Sequence, residues 1–238
     1  MFNRIALKRG AKREGESPFW ISFSDLMSAL MVLFLVVMAV TLISVTQSID
    51  AATRASKERD AAIKEIMTRI DEDPKSAGVV VHIDKFRIDL GTEVRFDSGS
   101  FTINANARAF LRDYIPVLLR EMDTKEGKRW MRSVVVEGFT DQDGTYLYNL
   151  QLSLDRSRSV VCALFEDTGD VTALTPEQLR KVQKLFLVGG YSFNSIKPDK
   201  AESRRVEFRI DFRGVDELKE EQAAEANDIL QGKEFGRC

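Results

Sequence analysis

At 238 residues the chain is long enough for one or two domains. Its 35 Lys and Arg against 37 Asp and Glu leave a net charge of −2, which excludes the global positive field of a nucleic-acid binder. A mean hydropathy of −0.20 would describe a water-soluble protein if the apolar residues were spread evenly, and they are not.

Residues 1–17 are basic: Arg4, Lys8, Arg9, Lys12 and Arg13 outweigh Glu14 and Glu16. Residues 18–45 then form an apolar run longer than the roughly 20 helical residues a bilayer needs. The run exceeds the apolar core of a secretory leader, and no small-residue cleavage site follows it cleanly, so it reads as a retained span. The positive-inside rule keeps the N-terminus in the cytoplasm and sends the rest of the chain across, with Phe19 and Trp20 in the aromatic belt. One carboxylic acid, Asp25, interrupts the run. At a rise of about 1.5 Å per residue it lies about 10 Å inside Pro18, deep for a short side chain to reach the interface. A charged Asp at a helix centre costs about 2.5–3.5 kcal/mol on insertion scales. Such an acid is a candidate for taking up an ion on one side and releasing it on the other, supported by Ser22, Ser28 and Ala29 on the same face. One helix cannot enclose a path, so partner helices are expected. The competing reading is an acid that hydrogen-bonds to a neighbouring helix.

Residues 46–78 are polar and helix-favouring. Ile49, Ala52, Ile63, Ile66 and Ile70 stand near heptad spacing, with Arg59 in one core slot, which predicts a helical linker or weak coiled coil. Pro74 and Gly78 break it. A compact domain is predicted over 79–213. "VVVHIDKFRIDLG" reads as one or two strands with a turn near Lys85. "TINANARAFLRDYIPVLLREM" is a helix with Ala107, Phe110, Leu111, Tyr114, Ile115 and Leu118 on one face, capped by Thr102 or Asn104. "SVVVEGF" is a buried strand, and a loop follows it into a second helix with Leu152, Val160, Val161 and Leu164 inward. "LTPEQLRKVQ" is a short helix or turn. "KLFLVGGYS" and "SRRVEFRIDF" are strands, the latter setting Val206, Phe208, Ile210 and Phe212 on one face. The result is a single transmembrane helix followed by an α+β sandwich with helices on one side of a mixed sheet. Residues 214–238 are an acidic, Ala-rich tail that reads as a solvated helix. Cys162 and Cys238 either pair in an oxidising compartment or stand as a buried thiol and a free tail thiol.

Catalytic readings find little. His82 is the single histidine, without metal-ligand companions. No Ser-His-Asp set and no phosphate-binding glycine loop is present, and Asp141 and Asp143 have nothing to set them apart as an acid–base pair. The chain is expected to be no enzyme and to hold no metal or cofactor. Asp141 and Arg156 could instead clamp the opposite charges of a zwitterionic ligand, carboxylate to ammonium and guanidinium to carboxylate. From spacing alone a local reading is favoured: Asp141 and Asp143 as turn residues before Gly144, and Arg156 in a surface ion pair.

At these residues the sequence resembles a known family. "VRFDSGSFTINANARAFL", "VVVEGFTDQDGTYLYNLQLSLDRSRSVVCALF", "LVGGYS" and "SRRVEFRI" look like the OmpA C-terminal-like peptidoglycan-binding domains. The resemblance implies that Asp141 and Arg156 hold the diaminopimelate of the wall peptide, with Thr140, Tyr148, Asn149 and Leu152 beside them. Arg204 or Arg205 matches the family's second arginine. Three positions depart from the pattern: Phe139 where a histidine is usual, Ser203 in place of an asparagine, and Phe193 in place of a proline. The whole plan, with "WISFSDLMSALMVLFLVVMAV", resembles MotB-type stator subunits, and more closely the ZorB family of the Zorya anti-phage system. What that implies is a homodimer inside a pentameric MotA-like (ZorA-type) membrane ring, anchored to peptidoglycan in the bacterial inner membrane. Passage of H⁺ or Na⁺ at Asp25 would then turn the ring. The alternatives are a flagellar stator subunit, for which the 46–78 linker is short, and a wall tether that conducts nothing.

Overall fold

The structure is a computed structural model and describes residues 17–166, 173–217, 235, 236 and 238. Helix α1 (Ser17–Asp71) opens the described chain. The chain divides at Arg54 and Ala55 into two units.

In the first unit every side chain described from Ser22 to Arg54 is exposed on the single chain, among them Phe34, Leu35 and Val40 at 65%, 52% and 61%. An apolar surface of that extent requires lipid or other helices around it. Among the described residues this is the one helix long and apolar enough to cross a membrane, with a mean hydropathy of 2.8 in its best window.

The second unit begins 24 residues before the expected boundary at Val79, because the end of α1 belongs to its core. Ile63, Ile66, Met67 and Ile70 are 0–2% exposed, buried against the domain itself. The heptad-like spacing that predicts a coiled-coil seam therefore describes an intramolecular face. Polar contacts hold it there: Arg69 pairs with Glu121 at 2.8 Å and Glu58 with Arg129 at 2.6 Å. Past Asp71, Asp73 caps a 3-10 turn at Pro74–Ser76, where Pro74 cannot continue an α-helix.

The hairpin of β1 (Val80–His82) and β2 (Arg87–Asp89) turns where the Lys85 amide donates to the His82 carbonyl. Helix α2 (Ala105–Asp123) starts at Asn104, whose side chain accepts from the Ala107 amide; of the two expected caps, Asn104 is the one used. A short helix α3 (Lys125–Trp130) leads into β3 (Met131–Gly138), then α4 (Tyr146–Phe165), α5 (Pro176–Leu185), β4 (Phe186–Gly190), a single turn α6 (Lys200–Ser203) and β5 (Val206–Phe212). The sheet order is β1-β2-β5-β3-β4, with β3 and β4 parallel and the other pairs antiparallel. This is the expected mixed sheet. The consecutive strands β4 and β5 lie on either side of β3 rather than side by side.

Strand alternation builds two unlike faces. Ile88, Val134, Val136, Phe208 and Ile210 are at most 1% exposed and face the helices. On the opposite face the register sets like charges against each other, Arg87 opposite Arg209 and both Asp89 and Glu137 opposite Glu207. Such pairs repel, and diagonal ion pairs close them. Arg87 reaches Glu137 and Glu207 at 2.8 Å each, Arg209 reaches Glu137 at 2.6 Å, and Lys197 pairs with Asp89. Glu137 is thereby fully buried on a face that sequence polarity alone assigns to water.

At the ends of the parallel strands, α4 lies against two glycines. A Cβ on Gly138 would stand 2.0 Å from the Ser153 carbonyl oxygen, and one on Gly190 would stand 2.6 Å from Leu154 Cγ. Only a residue without a side chain admits the helix this close, and that approach fixes the start of α4 beside the loop that leaves β3.

Candidate functional site

Asp25 lies on the exposed apolar helix, and Ser28, Ala29, Val32 and Val36 line the same groove on its face. The Ser28 hydroxyl donates to the Ser24 carbonyl at 2.8 Å, so its proton is spent on its own helix and its oxygen remains an acceptor. Thr41 and Ser48 bond back to their own helix in the same way, at 2.8 and 2.9 Å.

In the domain, three segments converge where β3 ends. The first is the loop that carries Thr140 and Asp141. The second is the first half of α4, carrying Tyr148, Asn149, Leu152 and Arg156. The third is the turn before β5, carrying Arg204. Asn149 is 1% exposed and ties the first two together, donating to the Asp143 and Thr145 carbonyls at 2.9 and 3.2 Å. Leu152 is 7% exposed and packs beneath, while Tyr148 stands 53% exposed at the rim. Thr140 donates its amide to Ser192 O at 3.0 Å, and among the described residues its buried Oγ1 has no hydrogen-bond partner.

Asp141 is 6% exposed. One carboxylate oxygen accepts from the Asp143 amide at 3.1 Å and the other from Arg204 Nη1 at 3.0 Å. The Asp143 side chain instead pairs with Lys200 at 2.6 Å in solvent, and only its backbone takes part in the cluster. Of the two candidate second arginines, Arg204 therefore belongs to the site. Arg205 turns the other way: it pairs with Glu207 at 2.6 Å, donates to Ser195 O, and lies 4.3 Å over the Phe139 ring.

Arg156 is fully buried, and among the described residues it makes no ion pair. Its Nε donates to Ser100 O at 2.9 Å, Nη1 to Phe139 O at 2.9 Å and Nη2 to Asp97 O at 3.0 Å, and the guanidinium lies 5.2 Å over the Phe96 ring. Each terminal nitrogen keeps a second hydrogen for another acceptor. Burial pushes the guanidinium down to about 10; Asp141 pulls it back up and Arg204 pushes it further down. The group stays charged at neutral pH, with too little negative charge around it. Arg156 thus builds the site and sets its field, and the guanidinium at the surface is that of Arg204, whose side chain is 20% exposed.

The three departures from the family pattern are each packed. Phe139 stacks on Tyr191 at 5.4 Å beneath Arg205, Phe193 meets Tyr146 edge-on at 5.7 Å, and the Ser203 hydroxyl accepts from the Lys197 amide at 2.8 Å. Sequence reasoning missed the 96–100 backbone. Its carbonyls are held by Arg156 and, at Phe96 O, by Arg204 at 3.1 Å. The aligned stretch "VRFDSGS" carried the signal, but carbonyl direction is not written in side-chain identity. His82 ends the short strand β1, and among the described residues no cluster of His, Cys, Asp and Glu could hold a metal ion. Cys162 and Cys238 are disulfide-bonded, with Cα atoms 5.9 Å apart, and Phe235 packs on Phe165 at 5.1 Å. Most of the tail read as a solvated helix lies outside the described residues.

The OmpA family model matches residues 95–203. The Zorya protein ZorB of an ETEC strain of Escherichia coli is 43% identical over 216 residues, covering 90% of this chain and 88% of its own. A second Zorya protein ZorB, from Escherichia coli strain Crooks, is 25% identical over 87% of this chain and 94% of its own. Among solved structures, the periplasmic domain of Helicobacter pylori MotB aligns with 65% of this chain and 93% of its own at 20% identity and a TM-score of 0.43.

Proposed function

The chain belongs to the ZorB family, and from that membership we propose that it is the wall-anchored, ion-conducting subunit of a membrane motor acting in Zorya anti-phage defence. The N-terminus lies in the cytoplasm, α1 crosses the inner membrane once, and the domain stands in the periplasm. Two copies sit inside a pentameric MotA-like ring. An ion, H⁺ or Na⁺, passes at Asp25 and turns the ring about the dimer. The domain holds the dimer to peptidoglycan, so the passage of charge becomes torque rather than free spinning of both parts. Each elementary charge falling through about 100 mV supplies roughly 2.3 kcal/mol. The chain acts as conduit and anchor, not as an enzyme.

The observation that carries this reading is the presence in one chain of an acid on an exposed apolar helix and of a carboxylate–guanidinium site in the domain that follows it in sequence. A plain tether has no use for Asp25. At the domain site, Asp141 suits an ammonium, and the electropositive surroundings of Arg156 and Arg204 suit a carboxylate, the two charges of a diaminopimelate centre. The disulfide supports an oxidising compartment for the domain.

Two measurements test the two halves. Ion flux through the chain with its ring partner should vanish in Asp25→Asn; undiminished flux would end the motor reading. Pull-down of Asp141→Asn on purified peptidoglycan should fall at least tenfold, and retention at the wild-type level would remove the site from wall binding.

A further inference from the structure

Arg204 also lines a cavity of about 390 Å³. Arg95, Asp97, Thr102, Asn104 and Arg204 line it. Arg204 belongs to both places: its Nη1 donates to Asp141, and the same residue lines the cavity. Arg95 is exposed, and among the described residues nothing pairs with its guanidinium. Asn104 spends its side-chain oxygen on the cap of α2, accepting from the Ala107 amide at 2.8 Å, which leaves its NH₂ as the free end. The lining thus carries two guanidinium groups and an amide donor against the single carboxylate of Asp97. Arg156, the expected partner of a ligand carboxylate, is covered by loop carbonyls. The arginines an arriving anion can touch are Arg204 and Arg95.

We infer that this cavity is a carboxylate subsite, in which Arg95 and Arg204 hold a second, free carboxylate of the same wall peptide whose ammonium lies at Asp141. The inference rests on the wall-binding reading and makes it specific. It assigns Arg95 a role in telling a free carboxylate from an amidated one, because an amide offers a guanidinium no charge and only one acceptor oxygen. Asp97 at the rim repels an anion placed away from the two arginines and accepts from a peptide N–H beside one placed between them.

The test uses the full chain in detergent with two synthetic stem tetrapeptides, one with its carboxylates free and one with them amidated. Affinities are read by calorimetry. Arg95→Gln should bind the free acid about tenfold more weakly than the wild type and bind the amidated peptide equally well. Arg95→Glu should weaken the free acid further. Arg95 is exposed, so both variants should keep the wild-type melting temperature. Wild-type affinity of Arg95→Gln for the free acid, or an equal loss on both peptides, would overturn the subsite while leaving the wall reading intact, provided Asp141→Asn still loses both. A wild-type chain that binds neither peptide would overturn both readings together.

Discussion

Replacing Arg156 with lysine keeps the charge and removes the fork. In the native site three nitrogens serve three separate backbone carbonyls, at Asp97, Ser100 and Phe139, which come from two loops. A lysine ammonium is a single point on a shorter stem and can serve one of those carbonyls well. Hydrogen bonds to a charged group contribute about 1.5–3 kcal/mol each, and a buried carbonyl left unpaired adds to the loss. Losing two such bonds puts the cost at about 3–6 kcal/mol. For a unit of this size each kcal/mol moves Tm by about 2–4 °C, so Arg156→Lys should melt roughly 10 °C below the wild type. The assay is thermal unfolding of the detergent-solubilised chain, followed by peptidoglycan pull-down below the lowered Tm. Binding should fall as well, because the 96–100 loop and the Asp141 loop are both released. A variant that melts with the wild type would show that the guanidinium does not hold these loops and would refute the argument, whatever happened to binding.

Gly138→Ala should cost at least about 3 kcal/mol in urea unfolding, since the added carbon would meet backbone at 2.0 Å, whereas Gly189→Ala, with nothing nearer than 3.4 Å, should cost less than about 1 kcal/mol. Burial pushes the Tyr114 hydroxyl up to about 12, above its unfolded value near 10. Its contribution is therefore complete below pH 10 and is lost between pH 10 and pH 12, where the unfolded chain releases the proton first. The stability of the wild type relative to Tyr114→Phe should be flat below pH 10 and fall by roughly 3 kcal/mol between pH 10 and pH 12. The disulfide spans 76 residues, and by the chain-entropy model closing such a loop restricts the unfolded chain by up to about 4.5 kcal/mol. A reductant should lower the wild-type Tm by several degrees and leave Cys238→Ser unmoved.

Much of the site was legible in sequence because it depends on residue type at fixed spacing. Asp141 lies in the loop just past the end of β3, and Asn149 and Arg156 lie on the helix that follows, so their convergence follows from local structure. The choice between Arg204 and Arg205 was not legible. Neighbouring residues on an extended chain point in opposite directions, and which one meets Asp141 depends on where β5 lies relative to β3. Arg95 went unnoticed for a related reason: its significance comes from a cavity shared with Arg204, more than 100 residues away.

The sequence by itself determined the apolar span with its lone acid, the order of strands and helices in the domain, and the residues able to form a charged site. Each follows from composition, period or capping within one stretch of chain. Tertiary structure decided that the end of α1 is core rather than a seam between chains, since Ile63, Ile66 and Ile70 have the same spacing in either case and only the surface they meet differs. It also decided that Glu137 is buried among arginines from other strands, and that Arg156 faces carbonyls rather than solvent. A residue's chemistry is local, but its partners and its access to water are set by segments distant in sequence, and those the fold alone brings together.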